Sequence, residues 1–430
     1  MSEDSTFGFK GFAILFAFLV IGFAGAQSEP GGKFDLMTKV IRKGPKVATS
    51  PTPTSPTTTT PTTTTPTTTT SNTVVGELSA IPSSFDVTTG LLPAWGSGGI
   101  PTSMAPDVVG AFRFMCAAGQ LLRDDPIVNP GQKGAAHLHQ FYGNLNADAH
   151  STYSSLRQNG GSSCEPGNGG NSLNRSAYWM PAMLDGKGNV VRPDFVSIYY
   201  KRRPISDPKC SLSSGDPKAE GNCVPLPNGL RFVFGFDMVT GKTPTGSHRF
   251  QCDGPSAIST TSFQTIREVI PLCPTTPVGV RQWDGSIKQT YNRILATIGA
   301  PSCWDGKNLD SPNHRDHVAY GSFGDWGYYR CPTTHPYSIP SFQMGSGFRV
   351  DENLGTWRLS SDEMHPNLPA GSTFHADWFG AWDNQVQAMW MDNCINKLLN
   401  CAGGDLGNGK QINGMWGTWE ANPRLVPVPA

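Results

Sequence analysis

Histidines gather in three stretches of this chain, in two of them together with aspartate and tryptophan, and those stretches are where chemistry is expected. Residues 301–336, PSCWDGKNLDSPNHRDHVAYGSFGDWGYYRCPTTHP, hold three of the nine histidines, two cysteines, two tryptophans and four aspartates. Neither an ordinary surface loop nor a hydrophobic core has a use for that mixture. Residues 373–383, TFHADWFGAWD, repeat it, and residues 135–143, AAHLHQFYG, carry a His-x-His pair. On a strand, side chains alternate between faces, so His137 and His139 share one face while Leu138 and Gln140 take the other. By the same spacing His375 and Asp377 lie on one side.

These residue types support two chemistries. Neutral imidazoles with a carboxylate suit a divalent transition metal, and His137, His139 and His375 are the expected ligands, with Asp377 as ligand or neighbour. Without a metal, aspartates and histidines work as general acids and bases, and two carboxylates can cleave a glycosidic bond. Asp310, His317 and Asp377 are the catalytic candidates, with Asp310 and Asp377 the preferred pair. Turn capping competes for Asp305 and Asp310, since Trp-Asp-Gly and Leu-Asp-Ser are Asx-turn contexts. His314 fits either a proton carrier or an exposed histidine at the start of a helix. His335, between prolines and near Cys331, reads as structural. Trp304 and Trp326 are placed at the site as flat platforms for sugar rings, and Gln140 as a substrate contact.

Around these stretches the chain reads as mainly β. Its 49 glycines and 36 prolines suit short strands and long loops. Strands are expected at 108–116, 135–143, 176–183, 196–200, 230–235 and 249–252, with a hairpin turn at Asp185-Gly186-Lys187-Gly188. Only the stretches at 291–298 and 384–399 suggest helix. The expected architecture is one large β-sandwich or barrel-like domain over 101–430, with disulfide-clipped loops and few short helices.

All ten cysteines lie between Cys116 and Cys401 and form no Cys-x-x-Cys pair, which points to disulfides in an oxidising compartment. The loop holding Cys210 and Cys223 reads as clipped by those two residues. Residues 1–26 read as a signal peptide cut after Ala26, although an uncleaved anchor remains open because Glu3 and Asp4 make its start less basic than usual. Residues 27–100 read as disordered, with a Thr/Pro-rich linker at 51–71 that suits a stiff spacer and O-linked sugars. Lys plus Arg and Asp plus Glu each number 33, so no charge excess points to nucleic acid, and contact with a membrane is expected only through an uncleaved N-terminal segment. There is no Gly-rich phosphate loop, no H-E-x-x-H and no G-x-S-x-G.

The motifs H-L-H-Q-F-Y-G, Y-W-M-P, C-W-D-G-x-N-L-D-S, H-R-D-H-V-A-Y, C-P-x-x-H-P and F-H-A-D-W-x-x-A-W-D occur in that order. In this the chain resembles the secreted family catalogued as domain of unknown function nineteen-ninety-six, common in fungi and also found in bacteria. The resemblance covers roughly residues 108–401. It implies export, disulfides and occasional attachment to sugar-binding modules, and it carries no established activity. Gly380-Ala381-Trp382-Asp383 departs from the expected N-G-W-D, which touches packing more than chemistry.

Three functions follow from the residues themselves. The leading one is a secreted enzyme, hydrolase or lyase, acting as a monomer on an extracellular polysaccharide or wall polymer through the His/Asp cluster. The others are a non-catalytic wall or carbohydrate-binding protein and an exported metal-binding protein.

Overall fold

In the computed structural model, residues 76–429 are described except 105–107, 165–172, 283, 324–328, 413–420 and 422. The expected signal peptide and Thr/Pro-rich linker lie outside the described residues. Eleven strands carry the architecture: β1 (Gly110–Cys116), β2 (Leu121–Leu122), β3 (His139–Gly143), β4 (Ala177–Pro181), β5 (Phe195–Arg202), β6 (Arg231–Gly235), β7 (His248–Asp253), β8 (Arg293–Gly299), β9 (Ser341–Arg349), β10 (His375–Phe379) and β11 (Asn400–Cys401). They form a six-stranded sheet in the order β7-β8-β9-β5-β1-β11 and a five-stranded sheet in the order β6-β10-β4-β3-β2. Every pairing is antiparallel except β1 with β11.

The two sheets pack face to face through aromatic side chains, which gives the expected mainly β sandwich. Phe114 meets Tyr178 at 6.5 Å, Phe342 meets Trp378 at 5.4 Å, and Phe232 meets Phe342 at 6.2 Å between ring centroids. Alternation along each strand sends residues of one parity into this core and those of the other outward. On β10, Ala376 and Trp378 belong to the main core, while Phe379 joins a smaller cluster with Phe141, Ala177, Trp179 and Val233. That second cluster is roofed by Tyr153 and Leu156 of the helix α1 (Tyr153–Gln158).

Helices are short, and one expectation about them is corrected. Arg293–Gly299 is not helical but a central strand, because Ile294, Ala296 and Ile298 fill the core while β7 and β9 flank it on either side. The second helical expectation holds at α2 (Asn384–Trp390), capped by Asp383, which accepts from the Gln385 and Val386 amides, and followed by a π-turn at Met391–Ile395. The turn at Asp185 joins two short strands, with Leu184 opposite Val190 and Met183 opposite Val191. Among the described residues, no helix is long and apolar enough to cross a membrane.

The start of the folded body is also corrected. Residues 76–100 are packed rather than disordered: Val87, Leu91 and Ala94 are buried, and the Ala94 amide donates to the Gly409 carbonyl at 2.9 Å. Arg157 on α1 reaches the Ile81 carbonyl at 2.8 Å, which ties this segment to the sheet's roof.

All ten cysteines pair as Cys116–Cys164, Cys210–Cys223, Cys252–Cys273, Cys303–Cys331 and Cys394–Cys401. Such density fits an extracellular setting. Each bond removes loop entropy from the unfolded chain, more for longer loops. Replacing Cys116 and Cys164 by alanine, which opens a separation of 48, is therefore expected to cost about 4 kcal/mol. Opening the separation of 7 between Cys394 and Cys401 is expected to cost about 2.4 kcal/mol. Urea unfolding checks the order; an equal or larger loss at Cys394 and Cys401 would contradict it.

Candidate metal centre

The outward face of the five-stranded sheet carries the chemistry. Phe141 on β3, Trp179 on β4 and Asp377 on β10 occupy one row across three strands. His139 pairs with Pro181 at the next outward position, and His375 lies two residues before Asp377 on the same face. His137 precedes β3, so it is placed by the loop rather than by strand alternation. It still reaches the group: ring centroids are 4.2 Å apart for His137–His139, 5.0 Å for His137–His375 and 6.3 Å for His139–His375.

Side-chain nitrogens of His137, His139 and His375 lie within 4.8 Å of one another, as do ligand atoms of Asp125, His139 and Asp377. Two of the imidazoles are held in a defined tautomer. His139 donates Nδ1–H to the Asp124 carbonyl at 3.0 Å, and His375 donates Nδ1–H to the Thr373 carbonyl at 2.8 Å. Each ring thus keeps a bare Nε2. Among the described residues, neither Nε2 of His137, Nε2 of His139 nor either carboxyl oxygen of Asp377 has a hydrogen-bond partner. Asp125 has one oxygen occupied by the Ile127 and Val128 amides, each at 2.8 Å.

Burial sets the electrostatics. Desolvation holds His137 well below its ordinary value, with the neighbouring His139 and His375 adding to the effect. It also lowers His139 and pulls His375 down to about 3. For Asp377 desolvation, followed by the nearby Asp125 charge, pushes the carboxyl well above its ordinary value, while Arg315 opposes this. Burial favours the neutral rings, whose nitrogens are then open to coordination, and the carboxyl has no hydrogen-bond partner among the described residues. Unsatisfied polar atoms at this depth cost free energy, and a divalent cation at their centre would satisfy them together. The two sets overlap at His139, whose one free nitrogen can serve a single ion.

Two buried aspartates support the rings from behind. Asp362 accepts from the Leu359 and Gly371 amides at 2.8 Å and from Thr373 Oγ1 at 2.7 Å, fixing the turn whose carbonyl orients His375. Asp124 accepts from the Gly134 and Ala149 amides at 2.8 and 3.2 Å, and so fixes the loop whose carbonyl orients His139.

The structure brings together His137, His139 and His375, and groups Asp377 with His139 and with Asp125, a residue the sequence reading did not single out. Its one signal was the adjacent acid pair before Pro126. Asp310 and His317 fall elsewhere, in a loop beside β6, where the Val233 amide donates to the His314 carbonyl. His317 is buried with both nitrogens used: Nε2–H donates to the Arg231 carbonyl at 2.8 Å and Nδ1 meets Ser311 Oγ at 2.9 Å. Both contacts brace the loop. Asp310 pairs with Arg231 and His314. Asp305 caps its turn by accepting from the Lys307 and Asn308 amides, and His335 is held by the Asp316 carbonyl and Thr334.

Two expected substrate contacts are corrected. Trp304 is fully buried in the main core and donates its indole N–H to the Asn308 carbonyl at 2.6 Å, so no ring face is open to a sugar. Gln140 is buried, and its amide donates to the carbonyls of Gly119, Gln120 and Phe141. It braces the sheet edge on the parity opposite to His139. Trp326 lies outside the described residues.

Comparison with known proteins adds the family. No curated protein and no solved structure matches the chain. A family profile described as Domain of unknown function (DUF1996) matches residues 125–382, a span that runs from Asp125 to Trp382 and so encloses all five residues of the cluster. With more than half of its 430 residues inside that match, the chain belongs to the DUF1996 family.

Proposed function

We propose that this domain holds one divalent transition-metal ion through His137, His139, His375 and Asp377, with Asp125 at its margin. We further propose that it acts there as a secreted enzyme, hydrolytic or lytic, on an extracellular polysaccharide. The observation that carries the metal is the buried Asp377 carboxyl with no donor, close to His139 Nε2, which has no partner and is itself grouped with His137 and His375. Three imidazoles and one carboxylate favour zinc, copper, iron or nickel over calcium. Such an ion supplies Lewis acidity and a water acidic enough to serve near neutral pH. His137 is the least buried member and marks the side from which a substrate would approach. The polymer substrate is supported by the organisation of the chain, a disulfide-held domain behind a Thr/Pro-rich spacer suited to work on wall material.

A second reading has its own support. His139, His375 and Asp377 are 1%, 3% and 1% exposed, and closed sites of this kind more often hold a structural or stored ion than a catalytic one. Turnover separates the two. Asp377→Asn should keep the fold and abolish product release from polysaccharide if the site is catalytic. If the parent loaded with metal releases no product from any polymer, the second reading stands.

Elemental analysis of the purified protein is expected to find one ion per chain, with His139→Ala and His375→Ala each losing it. A parent that takes up no zinc, copper, iron or nickel would sink the metal proposal. Asp362→Asn, which loosens the carbonyl behind His375, is expected to weaken affinity about 10–100-fold. At a free metal concentration of 100 times Kd, bound ion should add about 2.7 kcal/mol to unfolding free energy, read by thermal melting against a chelated control.

The site should also keep its ion in mild acid. Burial holds His137 and His375 below the ordinary 6.5, so protons compete for their nitrogens only well below that pH. Metal content after dialysis at pH 5.5 should match that at pH 7.5; release between pH 7 and 6 would contradict the burial argument. In the metal-free chain Asp377 works the other way. Its folded value is raised, so its contribution is favourable below about 3.8, the unfolded value, and is lost as pH rises through the folded value. Metal-free Asp377→Asn should therefore melt no lower than the metal-free parent at pH 8.

A further inference from the structure

A second group on the same sheet is left unused by the metal centre. Arg231 begins β6 opposite Phe379 of β10, two residues along from the pairing of Val233 with Asp377. Its guanidinium lies over the Phe379 ring at 5.2 Å and donates through Nε to Asp310 Oδ2 at 3.0 Å. Asp310 in turn accepts from His314 Nδ1 at 2.8 Å. Aromatic ring and carboxylate therefore fix the guanidinium plane, and the same carboxylate fixes the imidazole.

What these contacts leave free is a matching set of groups. Arg231 uses one of its five N–H donors, and its terminal nitrogens have no partner among the described residues. His314 donates through Nδ1, which leaves Nε2 as a bare acceptor with no partner among the described residues. Side chains of Arg231, Asp310 and His314 are 30%, 20% and 22% exposed, so the trio opens to solvent, unlike the buried cluster.

The backbone beneath His314 is built for this position. Its φ is 58°, the left-handed region that non-glycine residues seldom occupy, and such conformations persist where the surroundings enforce them. Here the enforcement is explicit. The His314 amide donates to the Ser311 carbonyl at 2.8 Å. Ser311 Oγ and Asn313 Oδ1 together accept from the amides of Arg315 and Asp316. The His314 carbonyl then takes the Val233 amide at 3.0 Å, which fastens the turn to β6, the edge strand of the sheet. The turn holds an imidazole beside a guanidinium at that edge.

We propose that Arg231, His314 and Asp310 form a binding subsite for a carboxylate-bearing sugar unit. The terminal N–H groups of Arg231 make a planar fork that fits a carboxylate with two parallel hydrogen bonds. His314 Nε2 accepts from a neighbouring sugar hydroxyl, and Asp310 orients both side chains without touching the ligand. The sugar class rests on the polysaccharide reading of the function, whereas the subsite itself is assembled without any residue of the metal cluster.

The test uses the full secreted chain, metal-loaded and chelated, with three probes: a trimeric uronic acid, the matching neutral trisaccharide and inorganic phosphate. The uronate trimer is expected to shift the His314 ring signals in the NMR spectrum, which His314→Gln identifies by their loss. The neutral trimer should shift them at least tenfold less at equal concentration, and Arg231→Gln should weaken uronate binding at least tenfold. If Arg231→Gln fails to fold, Arg231→Lys carries the test, because it keeps the charge and loses the fork. An equal response to neutral and acidic trimers, or an Arg231 variant that binds uronate like the parent, would overturn the proposal. Binding of phosphate without uronate would overturn the sugar class. The response should be the same with and without metal; a uronate response that disappears on chelation would assign the ligand to the cluster and overturn the separate subsite.

Discussion

An aromatic layer between the two sheets is the constraint from which the rest of this structure follows. Phe112, Phe114, Tyr178, Tyr200, Phe232, Phe342 and Trp378 can be taken out of water together only if their strands present one parity inward. A shift of one residue would turn every side chain over. Once Tyr178 and Trp378 face inward, Trp179 and Asp377 must face outward, and Tyr142 does the same for Phe141 and His139. The burial of the core thereby orders His139, His375 and Asp377, which sit on the reverse side of these strands, while His137 and Asp125 come from the loops before β3.

That arrangement explains why polar residues are tolerated at such depth. The outward face is not left to solvent: α1 and the segment around Ile81 cover its apolar half, where Trp179, Phe379 and Val233 lie. His139, His375 and Asp377 on the same face are buried as well, which raises the acid and lowers the bases. Backbone carbonyls from Asp124 and Thr373 select the tautomers, and buried carboxylates hold those carbonyls still. Ordering a polar cluster this thoroughly without pairing its ligand atoms is the pattern of a site made for something added later. The trio around Arg231 differs: it is half-buried, internally paired, and two of its three members lie on a loop.

Much of this was legible beforehand because it is local or additive. The His-x-His and His-x-Asp spacings were informative since period-two geometry converts them directly into a shared face. The Cys210 and Cys223 pair was legible because its loop is short and polar. The stretch at 291–298 misled because a continuous apolar run carries no period, and a strand flanked on both sides needs none. Trp304 and Gln140 misled for a related reason. Their neighbours in sequence suggest a site, but burial is decided by what the fold brings from elsewhere, here Tyr337 and the carbonyls of Gly119 and Gln120.

The sequence by itself determined the compartment signals, the mainly β class and the candidate ligands His137, His139, His375 and Asp377, because composition and strand period act over a few residues. Only the tertiary structure decided that β4 would lie between β3 and β10, and so which distant residues would meet. It also brought Asp125 into the cluster, withdrew Trp304 into the core, paired Asp310 with His314 rather than with Asp377, and packed residues of the 76–100 segment onto the domain. Each of these depends on strand order and loop path, which arise from the simultaneous packing of both sheets and are written in no single stretch of the chain.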